Sequence, residues 1–129
     1  MYLVDTSVLI DFLKGKETKQ SKKLEKIMVN QIPFAISIFT YQELLQGAKD
    51  EKEYEKLKRY LTTQKIYYPT HETFDASAHL FFSCRKRGIT IRSTIDTLIA
   101  TTAIENGLIL LCSDRDFEHM TRVIDLEIE

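Results

Sequence analysis

Leu108-Ile109-Leu110-Leu111-Cys112 is an uninterrupted apolar run, and it constrains the fold of this chain more than any other stretch. A strand with one wet face alternates apolar and polar residues, whereas a strand covered on both faces does not. The run therefore predicts a parallel-sheet strand between layers of helix. Shorter runs repeat the signal at residues 2–5, at Ile32-Pro33-Phe34-Ala35-Ile36-Ser37 and at Ile66-Tyr67-Tyr68-Pro69, and Val123-Ile124-Asp125-Leu126 offers a last strand. Pro33 belongs at the start of its strand, where the missing N–H is harmless.

Helical patterns fill the intervals. Thr6 or Ser7 is the expected cap of a helix running through Leu13 and stopped at Gly15. A second helix carries Leu24, Ile27 and Met28 on one face, a third runs from a Thr40 cap to near Gly47, and a charged amphipathic helix spans Asp50 to Leu61. Glu72 to Arg87 reads as a long helix closed by Gly88. Ile89-Thr90-Ile91 then leads to a helix holding Asp96, Ile99, Ala100 and Ala103, which ends at Asn106-Gly107. A short turn of helix follows at Asp116 to Met120. The expectation is one α/β domain over residues 1–129, a three-layer sandwich with a mostly parallel five-stranded sheet flanked by helices.

Four acids stand where such runs end or the next helices begin: Asp5, Glu43, Asp96 and Asp114. The carboxyl ends of parallel strands form the ligand-binding edge of an open α/β sheet, so these side chains can converge although they are distant in sequence. Converging carboxylates repel one another and call for a cation. An all-oxygen set with no matching His or Cys favours Mg²⁺ or Mn²⁺ over zinc, and such ions promote phosphodiester cleavage by activating water and neutralising phosphate charge.

Each acid also has a local explanation. Thr40-x-x-Glu43 has the form of a capping box, and Ser93-x-x-Asp96 nearly so. Asp5 stands beside the better capping candidates Thr6 and Ser7, which leaves it freer. Asp114 or Asp116 can cap the short helix after the most buried strand. The acids gain weight together, because one topology brings all of them to one edge.

Composition narrows the function classes. A hydrophobic fraction of 43% and a charged fraction of 29% are those of a globular protein, and no apolar run approaches the roughly 20 residues that span a bilayer. The start Met1-Tyr2-Leu3-Val4-Asp5 lacks the pattern of a secretory signal, so the cytoplasm is the expected compartment. Cys84 and Cys112 lie in apolar contexts and read as buried reduced thiols. The net charge of −1 argues against nucleic-acid binding by bulk electrostatics, so any such contact is local. Lys14, Lys16, Lys19, Lys22 and Lys23 form one basic patch, and Arg85, Lys86 and Arg87 with Arg92 another; most of these lysines read as solvated helix faces.

At the four acids the chain resembles the PIN-domain ribonucleases, and among them the VapC-type toxins of prokaryotic toxin–antitoxin pairs. Val4-Asp5-Thr6-Ser7-Val8-Leu9-Ile10-Asp11, Phe39 to Gly47, Ile95 to Ala103 and Leu108 to Phe117 are similar to the four acidic motifs of that family, in order and across nearly the whole chain. The resemblance implies a parallel five-stranded sheet, a Mg²⁺- or Mn²⁺-dependent endoribonuclease acting on RNA, a homodimer, and an antitoxin whose tail blocks the acidic pocket. Carried over by position, Asp5, Glu43, Asp96 and Asp114 are the catalytic acids, with Asp5, Asp96 and Asp114 on the metal. Thr6, Ser7 and Asp116 support them. His71, His79 and His119 match no motif. The aromatic cluster of Phe74, Phe81 and Phe82 suits either a core or a subunit contact. Two readings compete: a receiver-like phosphoacceptor domain, disfavoured by the lack of a Lys in the Ser113 to Phe117 motif, and a catalytically silent PIN-like binding module.

Overall fold

A computed structural model describes residues 1–129. Four parallel strands, β1 (Tyr2–Val4), β2 (Phe34–Ser37), β3 (Lys65–Tyr67) and β4 (Ile109–Leu111), lie in the order β3-β2-β1-β4. Leu3 stands opposite Ala35 on one side and Leu110 on the other, and Ile36 stands opposite Ile66. Helices α1 (Thr6–Leu13) and α2 (Lys19–Val29) join β1 to β2, while α3 (Ile38–Gln46) and α4 (Glu51–Leu61) join β2 to β3. Helices α5 (His71–Lys86) and α6 (Thr94–Glu105) then carry the chain back past β2 and β1 to β4, and α7 (Arg115–Met120) follows.

Strand side chains alternate between two cores, as a sheet covered on both faces requires. Val4, Ile36 and Leu111 pack with Val8, Leu24, Ile27, Leu44 and Leu61 on the α1–α4 side. Leu3, Ala35 and Leu110 pack with Leu80, Ile99, Ala103, Phe117 and Met120 on the α5–α7 side. Each of the Val, Leu, Ile, Phe and Met side chains among these, removed from water, contributes about 2 kcal/mol to folding. The three-layer expectation holds.

Three local expectations are corrected. The sheet has four strands rather than five: Val123-Ile124-Asp125-Leu126 forms no strand, because the N–H groups of Val123 and Ile124 both turn back to the Met120 carbonyl and close the end of α7. Beside β4 there is instead a single bridge between Leu110 and Ile128, made by Leu110 N–H to the Glu127 carbonyl and Glu129 N–H to the Leu110 carbonyl, each 2.9 Å. The third strand covers Lys65–Tyr67 and stops short of Pro69, which has no N–H for a ladder. Helix α3 begins directly at the end of β2, so its cap is Ser37, whose Oγ accepts the Thr40 N–H at 3.1 Å, and not Thr40.

Candidate active site

The order β3-β2-β1-β4 sends the chain to one side of β1 through α1–α4 and to the other side through α5 and α6. Connections that diverge to opposite faces leave a crevice at the carboxyl ends of the two strands, here β1 and β4. Asp5 follows β1 directly and Asp114 lies just beyond β4; Glu43 stands on the helix after β2, and Asp96 in the first turn of the helix that leads to β4.

Asp5 is itself the cap of α1, in place of the expected Thr6 or Ser7. β1 runs into α1 with no loop, so Asp5 is the one extended residue available, and its Oδ2 accepts the Ser7 hydroxyl at 2.7 Å and the Ser7 N–H at 3.4 Å. It is only 6% exposed. Burial pushes its carboxyl above the ordinary value, opposed by the Ser7 hydrogen bonds. The Thr6 hydroxyl, freed from capping, lies 2.8 Å from Glu43 Oε1 and 3.0 Å from Thr40 Oγ1. Glu43 therefore closes no capping box; it is tied across to α1.

Asp96 has neither a cap nor a partner among the donors of its own turn. The Ser93 hydroxyl accepts the Ile95 N–H, and the Thr97 hydroxyl donates to the Thr94 carbonyl, so both bypass the Asp96 carboxylate. Its acidity is shifted up to about 7, first by burial and then by the charges of Asp5, Asp114, Asp116 and Glu43. A half-buried carboxylate facing four others is a poor anion unless a cation accompanies it.

Asp114 caps α7 by accepting the Asp116 N–H at 2.9 Å. Arg92 then bridges the pair: its Nη2 donates to Asp114 Oδ1 at 2.8 Å, and its Nε and backbone N–H donate to Asp116 Oδ2 at 3.2 and 3.1 Å. Asp116 is 4% exposed. One carboxylate oxygen from each of Asp96, Asp114 and Asp116 lies within 4.8 Å of the others, a spacing that one ion can gather into its shell. Hard oxygen donors of this kind suit Mg²⁺ or Mn²⁺. Cys112 adds no thiolate, since burial and then Asp5 push it up to about 12.

The fold thus brings Asp96, Asp114 and Asp116 into the tightest group, while Asp5 and Glu43 act on Asp96 through their charge. Asp116, read from the sequence as a supporting acid, sits inside the group of three, and Asp5 sits outside it. The group holds no histidine. Arg92 was legible only as part of a basic patch; its partners are 22 and 24 positions away, and no spacing rule points to them. Phe74 and Phe82 are 50% and 46% exposed, so the aromatic cluster is not wholly core. A groove of about 730 Å³, lined by Phe12, Leu13, Met28, Leu57 and Tyr60 among others, shares no residue with the acidic edge.

Similar proteins are found at the level of family, sequence and fold. The family described as PIN domain matches residues 2–123. Ribonuclease VapC11 of Mycobacterium tuberculosis is 26% identical over 129 residues, covering 98% of this chain and 96% of its own length. Ribonuclease VapC1 of Methanocaldococcus jannaschii is 33% identical over 102 residues, 79% of this chain and 67% of its own. Among solved structures, the VapBC2 complex of Rickettsia felis bound to a DNA fragment from its promoter contains a chain that superposes with a TM-score of 0.77 at 23% identity, covering 99% of this chain and 96% of that one. FitAcB from Neisseria gonorrhoeae gives 0.76 at 19% identity, over 99% and 96%. With the parallel sheet, the acids at its carboxyl edge and a family match across nearly its full length, this chain belongs to the PIN-domain family.

Proposed function

We propose that this chain is a metal-dependent endoribonuclease of the VapC type, the toxin of a toxin–antitoxin pair. The observation that carries the reading is the acidic edge itself: Asp96, lacking a donor in its own turn and pushed up to about 7, gathered with Asp114 and Asp116. The names of the relatives, ribonucleases by sequence and VapBC complexes by fold, support RNA as substrate and an antitoxin as partner. A homodimer and a cytoplasmic setting complete the reading. The receiver-like alternative is weaker, because the cation in contact with the acids is the forked Arg92 rather than a lysine.

Asp96, Asp114 and Asp116 would hold the ion, with Asp5 adjacent. A bound Mg²⁺ or Mn²⁺ supplies an acidified water and offsets charge on the scissile phosphate. The protein's part is placement and proton handling. Asp5, fixed by Ser7, and Glu43, fixed by the Thr6 hydroxyl, stand as oriented carboxylates that can hold a proton or align a water beside the phosphate. The ordered hydroxyls of Thr6, Ser7 and Thr40 keep these acids from drifting apart under their mutual repulsion.

The test is cleavage of a mixed-sequence RNA by the purified chain. Cleavage is expected with Mg²⁺ or Mn²⁺, is lost in EDTA, and is lost in Asp96→Asn, which keeps shape and removes charge. Equal cleavage in EDTA, or by the Asn variant with metal present, overturns the mechanism.

A further inference from the structure

A cation centre built from Asp96, Asp114 and Asp116 leaves one charge to be explained, that of Arg92. Its contacts fall on one oxygen of each partner: Nη2 on Asp114 Oδ1, Nε and the backbone N–H on Asp116 Oδ2. Asp114 Oδ1 also accepts the Asp116 N–H. The second oxygens, Asp114 Oδ2 and Asp116 Oδ1, take no hydrogen bond from the protein, and neither is completely sealed, since no fully buried side-chain oxygen of the molecule lacks a partner. The Arg92 side chain is 69% exposed while that of Asp116 is 5% exposed, which places the guanidinium at the rim, gripping a buried acid from one side. A cation plugging the site would cover the open oxygens; this one leaves them free.

We propose that Arg92 is a positioning residue for the cation centre: its planar fork ties one oxygen of Asp114 to one of Asp116 and so presents the other two, together with Asp96, to a divalent ion. The inference rests on the cation reading given above. Without the fork, two adjacent carboxylates repel and turn apart. A lysine offers one point charge and cannot hold both acids in this geometry. Groups that hydrogen-bond ligating carboxylates set metal affinity by about 10–100-fold. The opposite effect also exists, since a resident positive charge repels an incoming cation. The two have opposite signs, so the sign decides between them.

Calorimetric titration of Mn²⁺ into wild type, Asp96→Asn, Arg92→Gln and Arg92→Lys measures this directly, with thermal melts confirming that each variant is folded. Wild type is expected to bind and Asp96→Asn to lose the site, while both Arg92 variants bind at least about 10-fold more weakly. Wild-type affinity in Arg92→Lys, or tighter binding in Arg92→Gln, overturns the positioning role and leaves the cation reading intact. No Asp96-dependent binding in wild type overturns the cation reading, and this inference with it. A second measurement needs no variant: the Arg92 Nε–H resonance of wild type should stay hydrogen-bonded as Mg²⁺ saturates the protein. Its release to the position of a free guanidinium shows displacement by the ion and overturns the proposal.

Discussion

At the scale of the residue, Asp96 shows how position turns an ordinary acid into a proton-responsive group. Its folded value of about 7 lies above the ordinary 3.8, so the folded chain takes up a proton that the unfolded chain does not across that interval. In metal-free buffer, stability therefore falls as pH rises from about 4 to about 7 and levels off above. Asp96→Asn should flatten this slope, as thermal melts across the range will show; an unchanged slope would place the proton on another acid. Glu43 makes a second case. Its partner is the Thr6 hydroxyl, so Glu43→Gln keeps an acceptor and removes a charge, whereas Glu43→Ala leaves Thr6 without that acceptor at a cost of about 1 kcal/mol. In EDTA the Gln variant should melt at or above wild type and the Ala variant below Gln, while millimolar Mn²⁺ should favour wild type over both by mass action. Ala equal to Gln would mean that the Thr6 contact contributes nothing. Asp5, Asp96 and Asp114 were legible because each stands just after an apolar run or in a first helical turn, whereas Glu43 lies in the second turn of α3. Arg92 was not legible, since only the folded chain brings it to Asp114 and Asp116.

Elements were legible where a residue type forces the backbone and less so where neighbours compete. Gly15, Gly88 and Gly107, three of the expected helix stops, adopt positive φ, of 71°, 74° and 62°, whereas Gly47 at the end of α3 keeps an ordinary φ of −86°. Helix starts were harder. Ser37 and Thr40 are both good capping residues, and which one caps α3 depends on how far β2 extends before the chain turns, a matter decided by pairing with β3. Ser37→Ala should cost about 1 kcal/mol by loss of its bond to the Thr40 N–H, and Thr40→Ala should act instead through Thr6. Denaturant midpoints that rank Thr40→Ala as the worse cap mutation in a background lacking the Thr6 hydroxyl would contradict this assignment. The last strand was misplaced for a related reason. Val123 to Leu126 has strand composition, but Val123 and Ile124 are drawn into closing α7 and Leu126 into the core.

At the scale of the molecule, the doubly covered sheet explains why the layering was readable from an uninterrupted apolar run, though the strand number was not: a strand buried on both faces needs helices above and below it. Quaternary structure was not readable in that way. The homodimer proposed here should appear in sedimentation at micromolar concentration, and replacing the half-exposed Phe74 and Phe82 by Ser should leave the fold intact while testing whether α5 takes part. A wild-type monomer under those conditions would remove the dimer from the reading. The bridge at Ile128 has a consequence of another kind. It covers the outer rim of β4 only lightly, with Glu127 and Glu129 on either side of one paired residue. Were that segment to peel away, the Leu110 and Cys112 N–H groups and the Leu110 carbonyl would form an unpaired apolar template, inviting another chain to add on and begin aggregation, so the lightly held segment is what guards this edge.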